Sequence, residues 1–299
     1  MIQDVTADAF CSEGVLAATD VANDICQQIV DCGPTTKQAI LDIYAGWKAA
    51  FSDEGKGGTI PYVHDFRLNE RNTITSQSVE YVCGGQQGGI DFPVWFAAAG
   101  PRIQPRRVMI IGQDPLRRPS DYRGDYSFPI GTPYAVHDRR TRERRTSGYW
   151  NEIRALLENN CDLYLTDLYK VYRPKPGLAR PKDALDFFRI ILQIECDLYR
   201  PDLIVAFGRQ VYASLCHLPT EQSFVTLGVL DDGAKLRRTE FVKGQTGRGI
   251  PVAPLLHPSG LARPFRHRFF QCNPHGVVEP TFTTLILHAL SALDVPEMV

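Results

Sequence analysis

Four residues in this sequence combine types and settings suited to acid, base or electrostatic chemistry: Gln113, Asp114, Asp167 and His257. Each follows or ends a short apolar run. "RRVMIIG" (106–112) leads into Gln113 and Asp114, "DLYLTD" (162–167) closes on Asp167, and "GIPVAPLLH" (249–257) closes on His257, with Pro258 and Ser259 next. A carboxylate can face a developing cation or orient a water, and an imidazole can donate a hydrogen bond to a developing anion. Singly, each reads as ordinary loop chemistry, because polar residues end strands where loops begin. Three strand ends carrying such groups make a stronger case than one.

A parallel sheet is the element that would bring them to one place. Besides the three runs above, "DLIVAFG" (202–208) is short, apolar and rich in β-formers. Helical periodicity fills the intervals: Tyr149, Ile153, Leu156 and Leu157 in one, Leu185, Phe188, Ile191 and Leu192 in the next, then Val211, Tyr212 and Leu215. "TFTTLILHALSAL" (281–293) is a last helix. Strands of five to seven residues alternating with helices predict an α/β fold, a three-layer α/β/α sandwich around a four-stranded, mainly parallel sheet. In such sheets ligands bind beyond the carboxyl ends of the strands.

The first hundred residues read as a mainly helical elaboration of a single domain spanning 1–299, with the α/β core at 101–299. Their clearest element is "TTKQAILDIYAGWKAAF", where Ile40, Ile43, Tyr44, Trp47 and Phe51 share a helical face. The glycines of "CGGQQGG" (83–89) lack the lysine and hydroxyl residue of a phosphate loop and read as a connection.

Composition sets bounds. A formal net charge of −1 gives no global argument for a polyanionic partner. No apolar run approaches the roughly 20 residues of a membrane helix, and "MIQDVTADAFCSEG" carries acids where a secretion signal carries basic residues, so a cytoplasmic location and no membrane association are expected. The eight cysteines (11, 26, 32, 83, 161, 196, 216 and 272) form no CxxC pair and read as reduced thiols, with a cluster of Cys11, Cys26, Cys32 and Cys83 as the alternative.

Local charge is more informative. "LRRPSDYRGDY" (116–126), "HDRRTRERR" (137–145) and "HPSGLARPFRHRFF" (257–270) put arginines and aromatics beside the polar strand ends. Basic side chains interleaved with aromatic ones suit a phosphate backbone with bases alongside; a solvated arginine-rich loop is the plainer alternative.

"GQDP" after a first strand and "HPSGL" after a last one resemble the paired motifs of the uracil-DNA glycosylase superfamily. "YSFPIGTP" resembles its base-stacking aromatic segment, "DLYLTDLYKV" the strand with its base-reading asparagine, and "DLIVAFGRQVYASL" the strand and helix before its histidine loop; the similarity covers roughly residues 100–290. The resemblance implies hydrolysis of an N-glycosidic bond in DNA by a monomer, with no metal or cofactor. It implies that Asp114 faces the sugar and orients water, and that His257 stabilises the departing base. Phe128 would stack on the extruded base, with Tyr126 as its neighbour, and the Gln113 backbone would contact a base carbonyl. Leu261 would fill the gap in the stack, and Ser259, Gly260, Arg263, Arg266 and Arg268 would grip phosphates.

Three residues depart from the best-known branch of that family. Leu116 stands where a tyrosine excludes the thymine methyl, and Arg117 replaces a histidine. Asp167 stands at the asparagine position. Ionised, it only accepts hydrogen bonds, which would favour an exocyclic amino group; it could instead be protonated in a dry pocket, or be structural. Three functions follow as expectations: a glycosylase for uracil or a related deaminated or modified base; a non-catalytic nucleic-acid or damaged-base binding protein on the same fold; and a nucleoside or nucleotide hydrolase.

Overall fold

Strands with apolar residues on both faces are stable only when both faces are covered, so such runs gather at the centre of a sheet. The computed structural model describes residues 90–96, 98, 104–114, 130–136, 148–170, 182–217, 236–244, 247–257 and 281–293. In chain order the strands are β1 (Ile90–Asp91), β2 (Val94–Phe96), β3 (Arg106–Gly112), β4 (Ile130–Gly131), β5 (Cys161–Asp167), β6 (Leu203–Phe207), β7 (Arg237–Lys243) and β8 (Gly249–Leu255). The described helices are α1 (Gly148–Glu158), α2 (Lys182–Tyr199), α3 (Arg209–Leu215) and α4 (Phe282–Leu293).

The main sheet has the order β2-β5-β3-β6-β8-β7. The four strands expected from sequence are its centre, and β3 runs parallel to β5 and β6, as β6 does to β8. Among the described residues the sheet has six strands, not the four expected, because β2 and β7 add antiparallel edges. Both escape an apolar-run search for physical reasons. The first is only three residues long, and the second, "RRTEFVK", is a half-solvated edge rich in charge. β1 and β4 form a separate parallel pair.

Pro251 and Pro254 lie in β8, between β6 and β7, although proline cannot donate to a ladder. The pairing with β7 is correspondingly irregular between Arg238 and Lys243. The buried Thr239 hydroxyl repairs it, accepting the Ile250 N–H at 2.9 Å and donating to the Val242 carbonyl at 2.5 Å.

Neighbouring residues of a strand point to opposite faces, and this assigns the helical layers. Met109 meets Cys196 of α2, whereas Ile110 lines a small cavity with residues of α1 and α4. Helices therefore cover both faces. Val108, Met109 and Ile111 are fully buried and Ile110 is nearly so, each contributing roughly 1.5–3 kcal/mol of hydrophobic stabilisation. Cys161, Cys196 and Cys216 are buried free thiols. The expected amino-terminal helices and the Cys11, Cys26, Cys32 and Cys83 set lie outside the described residues. Among those described, no group of His, Cys, Asp and Glu could hold a metal, and no helix is long and apolar enough to cross a membrane.

Candidate active site

Register brings the strand ends level. Gly112 of β3 pairs with Asp167 of β5, Ile111 with Ala206 of β6, and Phe207 with Leu255 of β8. Gln113, Asp114, Asp167 and His257 thus leave the sheet along one edge. Pairing continues past the strands: the Leu168 N–H donates to the Gly112 carbonyl at 2.9 Å, and the Tyr169 N–H to that of Gln113 at 3.0 Å. These bonds tie the backbone entering Asp114 to the loop after Asp167. Gln113, Asp114 and His257 are partly exposed, while Asp167 is buried.

Gly112 leaves room for its neighbour. A β-carbon there would collide with a carboxylate oxygen of Asp167, and would also stand 3.1 Å from the Tyr134 hydroxyl. Two polar side chains therefore converge over the bare face of this glycine.

Tyr134 belongs to a 3-10 turn, Pro133–Ala135, and has φ 59° and ψ 12°, with Ala135 following at φ 52°. Left-handed backbone at a non-glycine residue costs about 1–3 kcal/mol and collects at functional sites. Its hydroxyl is buried and has no hydrogen-bond partner among the described residues. Burial, then the Asp167 charge, then Tyr149 push the phenol well above its ordinary value, so it keeps its proton.

From Tyr134 an aromatic chain runs to the histidine. Its ring stacks on Tyr149 of α1 at 4.5 Å between centroids, and meets Phe207 edge-on at 6.1 Å. The Tyr149 hydroxyl lies 3.1 Å from Nδ1 of His257 and 3.3 Å from Nε2. One hydroxyl serves one nitrogen at a time, and the imidazole tautomer decides which bond forms and in which direction. Phe207 also meets the imidazole edge-on, at 6.1 Å. One turn beyond Tyr149, Glu152 accepts the Thr283 N–H at 2.8 Å and the Thr283 hydroxyl at 2.6 Å, which locks α1 to the first turn of α4. Behind the tyrosines lies an apolar cavity of about 20 Å³, bordered by Ile110, Phe207, Phe282 and Ile286, about one water's worth of space.

A second polar cluster occupies the α2 face. Lys170 and Glu195 are both fully buried, and their Nζ and Oε2 atoms are 2.6 Å apart. Lys170 also donates to the Thr166 hydroxyl, which donates in turn to Glu195 Oε1 at 2.6 Å. The Tyr164 hydroxyl adds a longer bond to the same oxygen, at 3.4 Å.

Of the residues singled out from sequence, Gln113, Asp114, Asp167 and His257 share this edge. Leu116, Phe128, Ser259, Gly260, Leu261, Arg263 and Arg266, with Arg117, Tyr126 and Arg268, lie outside the described residues. Sequence reasoning missed Tyr134, Tyr149 and Phe207 as site residues. Tyr149 and Phe207 carry the spacing of core positions, and only the turn signal of Thr132-Pro133 hints at Tyr134. A family model described as the uracil DNA glycosylase superfamily matches residues 100–272. No curated protein matches the chain.

Proposed function

The chain belongs to the uracil DNA glycosylase superfamily, and on that premise we propose that it is a DNA glycosylase, hydrolysing the N-glycosidic bond of uracil or a related deaminated or modified base. The observation that carries this reading is His257 held by the Tyr149 hydroxyl, on the same sheet edge as Asp114. A base is out of reach inside a duplex, so the substrate nucleotide is extruded, at a cost of a few kcal/mol. Cleavage leaves an oxocarbenium-like sugar and an anionic base. Asp114 faces the cation and orients the attacking water. Tyr149 donates to Nδ1, which keeps the imidazole proton on Nε2, and that N–H donates to the base oxygen where negative charge develops. The continued β3–β5 backbone bonds support this placement by fixing the segment that enters Asp114.

The remaining roles follow the motif positions. Phe128 stacks on the base, and Leu116 and the Gln113 backbone border it. Leu261 fills the vacated stack, and Ser259, Gly260, Arg263 and Arg266 hold phosphates. The partner is DNA, engaged by a monomer, and the reaction as drawn runs through protein side chains alone.

The test is a panel of oligonucleotides carrying uracil, hypoxanthine, xanthine and 5-substituted pyrimidines, incubated with the wild type and with Asp114→Asn. Wild type should generate abasic sites on at least one base, and the variant should be slower by on the order of a thousandfold. An intact panel, with salt-sensitive DNA binding that survives Asp114→Asn and His257→Ala, would make this a binding protein instead. Turnover of free nucleosides without DNA would point to a small-molecule hydrolase.

A further inference from the structure

Tyr134 carries two costs that no contact among the described residues offsets. Its backbone is left-handed, and its hydroxyl is buried with no hydrogen-bond partner among those residues. An unsatisfied buried hydroxyl costs about 1–3 kcal/mol, and a native fold that keeps one holds it for a ligand, a bound water or ion, or as strain. The hydroxyl stands beside the Asp167 carboxylate over Gly112, at the edge where the substrate is proposed to enter. On the far side of the ring, the stack on Tyr149 fixes its plane.

We propose that Tyr134 is a specificity-determining residue, whose phenol donates the hydrogen bond that Asp167 cannot, so that the pair reads a base setting a carbonyl beside a ring N–H. The inference rests on the base-excision reading and adds the edge that is recognised. An ionised carboxylate only accepts, so Asp167 takes the ring N–H, and the phenol donates to the adjacent carbonyl. A side-chain amide could supply both functions alone. Here they are divided between two residues: in the proposed pose the phenol faces the exocyclic position and the carboxylate the ring nitrogen. Cytosine presents the reverse order, and its ring nitrogen lone pair would face the carboxylate. Uracil, hypoxanthine and xanthine share the accepted edge, while unmodified cytosine is refused.

The experiment uses the full chain, with Tyr134→Phe beside wild type and Asp114→Asn. On a uracil oligonucleotide Tyr134→Phe should lower kcat/KM about tenfold, the equivalent of one hydrogen bond. Its thermal midpoint should hold or rise, because the lost hydroxyl was unsatisfied. On 4-thiouracil, whose sulfur is a poor acceptor, the gap between the two proteins should close to about twofold or less. Binding to a duplex carrying slowly cleaved 2′-fluoro-2′-deoxyuridine is read in parallel, and the variant should lose about tenfold there relative to unmodified duplex. If Asp114→Asn abolishes excision but Tyr134→Phe changes neither rate nor binding, the edge-reading proposal falls and the excision reading stands. A wild type that prefers cytosine also overturns it. If no base is excised yet the binding difference appears, excision falls and the edge reading survives. A wild type that neither cuts nor prefers uracil removes both.

Discussion

Thr166 and Asp167 are neighbours in β5, yet the polar clusters they join differ in kind. Alternation sends Thr166 to the α2 face, where Lys170 and Glu195 close a ring of paired charges and hydroxyls with no exposure to solvent. It sends Asp167 to the other face, where its neighbour Tyr134 has a buried hydroxyl with no hydrogen-bond partner among the described residues. The first arrangement is complete without a ligand. A completed network specifies a fold, whereas an unsatisfied hydroxyl beside a strained turn is the kind of group a ligand site would use. Neither burial nor residue type separates the two, because both are buried polar groups on one strand. What separates them is hydrogen-bond satisfaction.

Variants can break that contrast in order of expected size. Lys170→Met should have the largest effect on the fold, since removing one partner strands the Glu195 charge in the core and costs about 3–5 kcal/mol. Urea denaturation measures it, and a midpoint that stays in place would show that the α2-face cluster is not structural. Adding Glu195→Leu should recover most of the loss, because an apolar pair of similar volume can replace a buried ion pair.

Tyr149→Phe removes one hydroxyl on the site side. It should slow excision about tenfold, mainly in kcat, with little change in stability. The readout that a packing role would not move is the nitrogen NMR signature of the His257 tautomers, which should mix once the hydroxyl is gone. An unchanged tautomer ratio would remove Tyr149 from the mechanism.

The smallest effect is on alkaline stability. Burial raises the phenols of Tyr134 and Tyr199 well above their ordinary value and that of Tyr212 to about 12, from 10.0 unfolded. The folded state then holds more protons than the unfolded one above pH 10, so stability falls as pH rises through that range. The phenols' share of it is fully present below pH 10. The buried thiols of Cys161, Cys196 and Cys216 are raised from 9.0 in the same way. Thermal midpoints should therefore decline from about pH 9 upward, and Tyr212→Phe should flatten the part of that decline above about pH 10.

Much of this arrangement was legible in the residues. The four central strands show as apolar runs because both their faces are covered, and their polar ends show because a parallel sheet puts them on one edge. The edge strands did not show. β7 is charged and irregular, and β2 is shorter than any useful period. Gln113, Asp114, Asp167 and His257 were legible because strand ends are recognisable by pattern. Tyr134, Tyr149 and Phe207 were not, since an aromatic that packs on one side and borders the candidate site on the other has the spacing of a core residue. The Lys170–Glu195 pair gave no signal either, its partners being 25 residues apart along the chain.

Gly112 has a bearing on how this site can change over generations. Residue 112 and residue 167 share space, so their substitutions are not independent. A side chain larger than hydrogen at 112 is admissible only after the carboxylate has been shortened or turned away. A lineage that changes this edge therefore has a preferred order of steps, position 167 first and position 112 second. The reverse path must first displace a buried carboxylate.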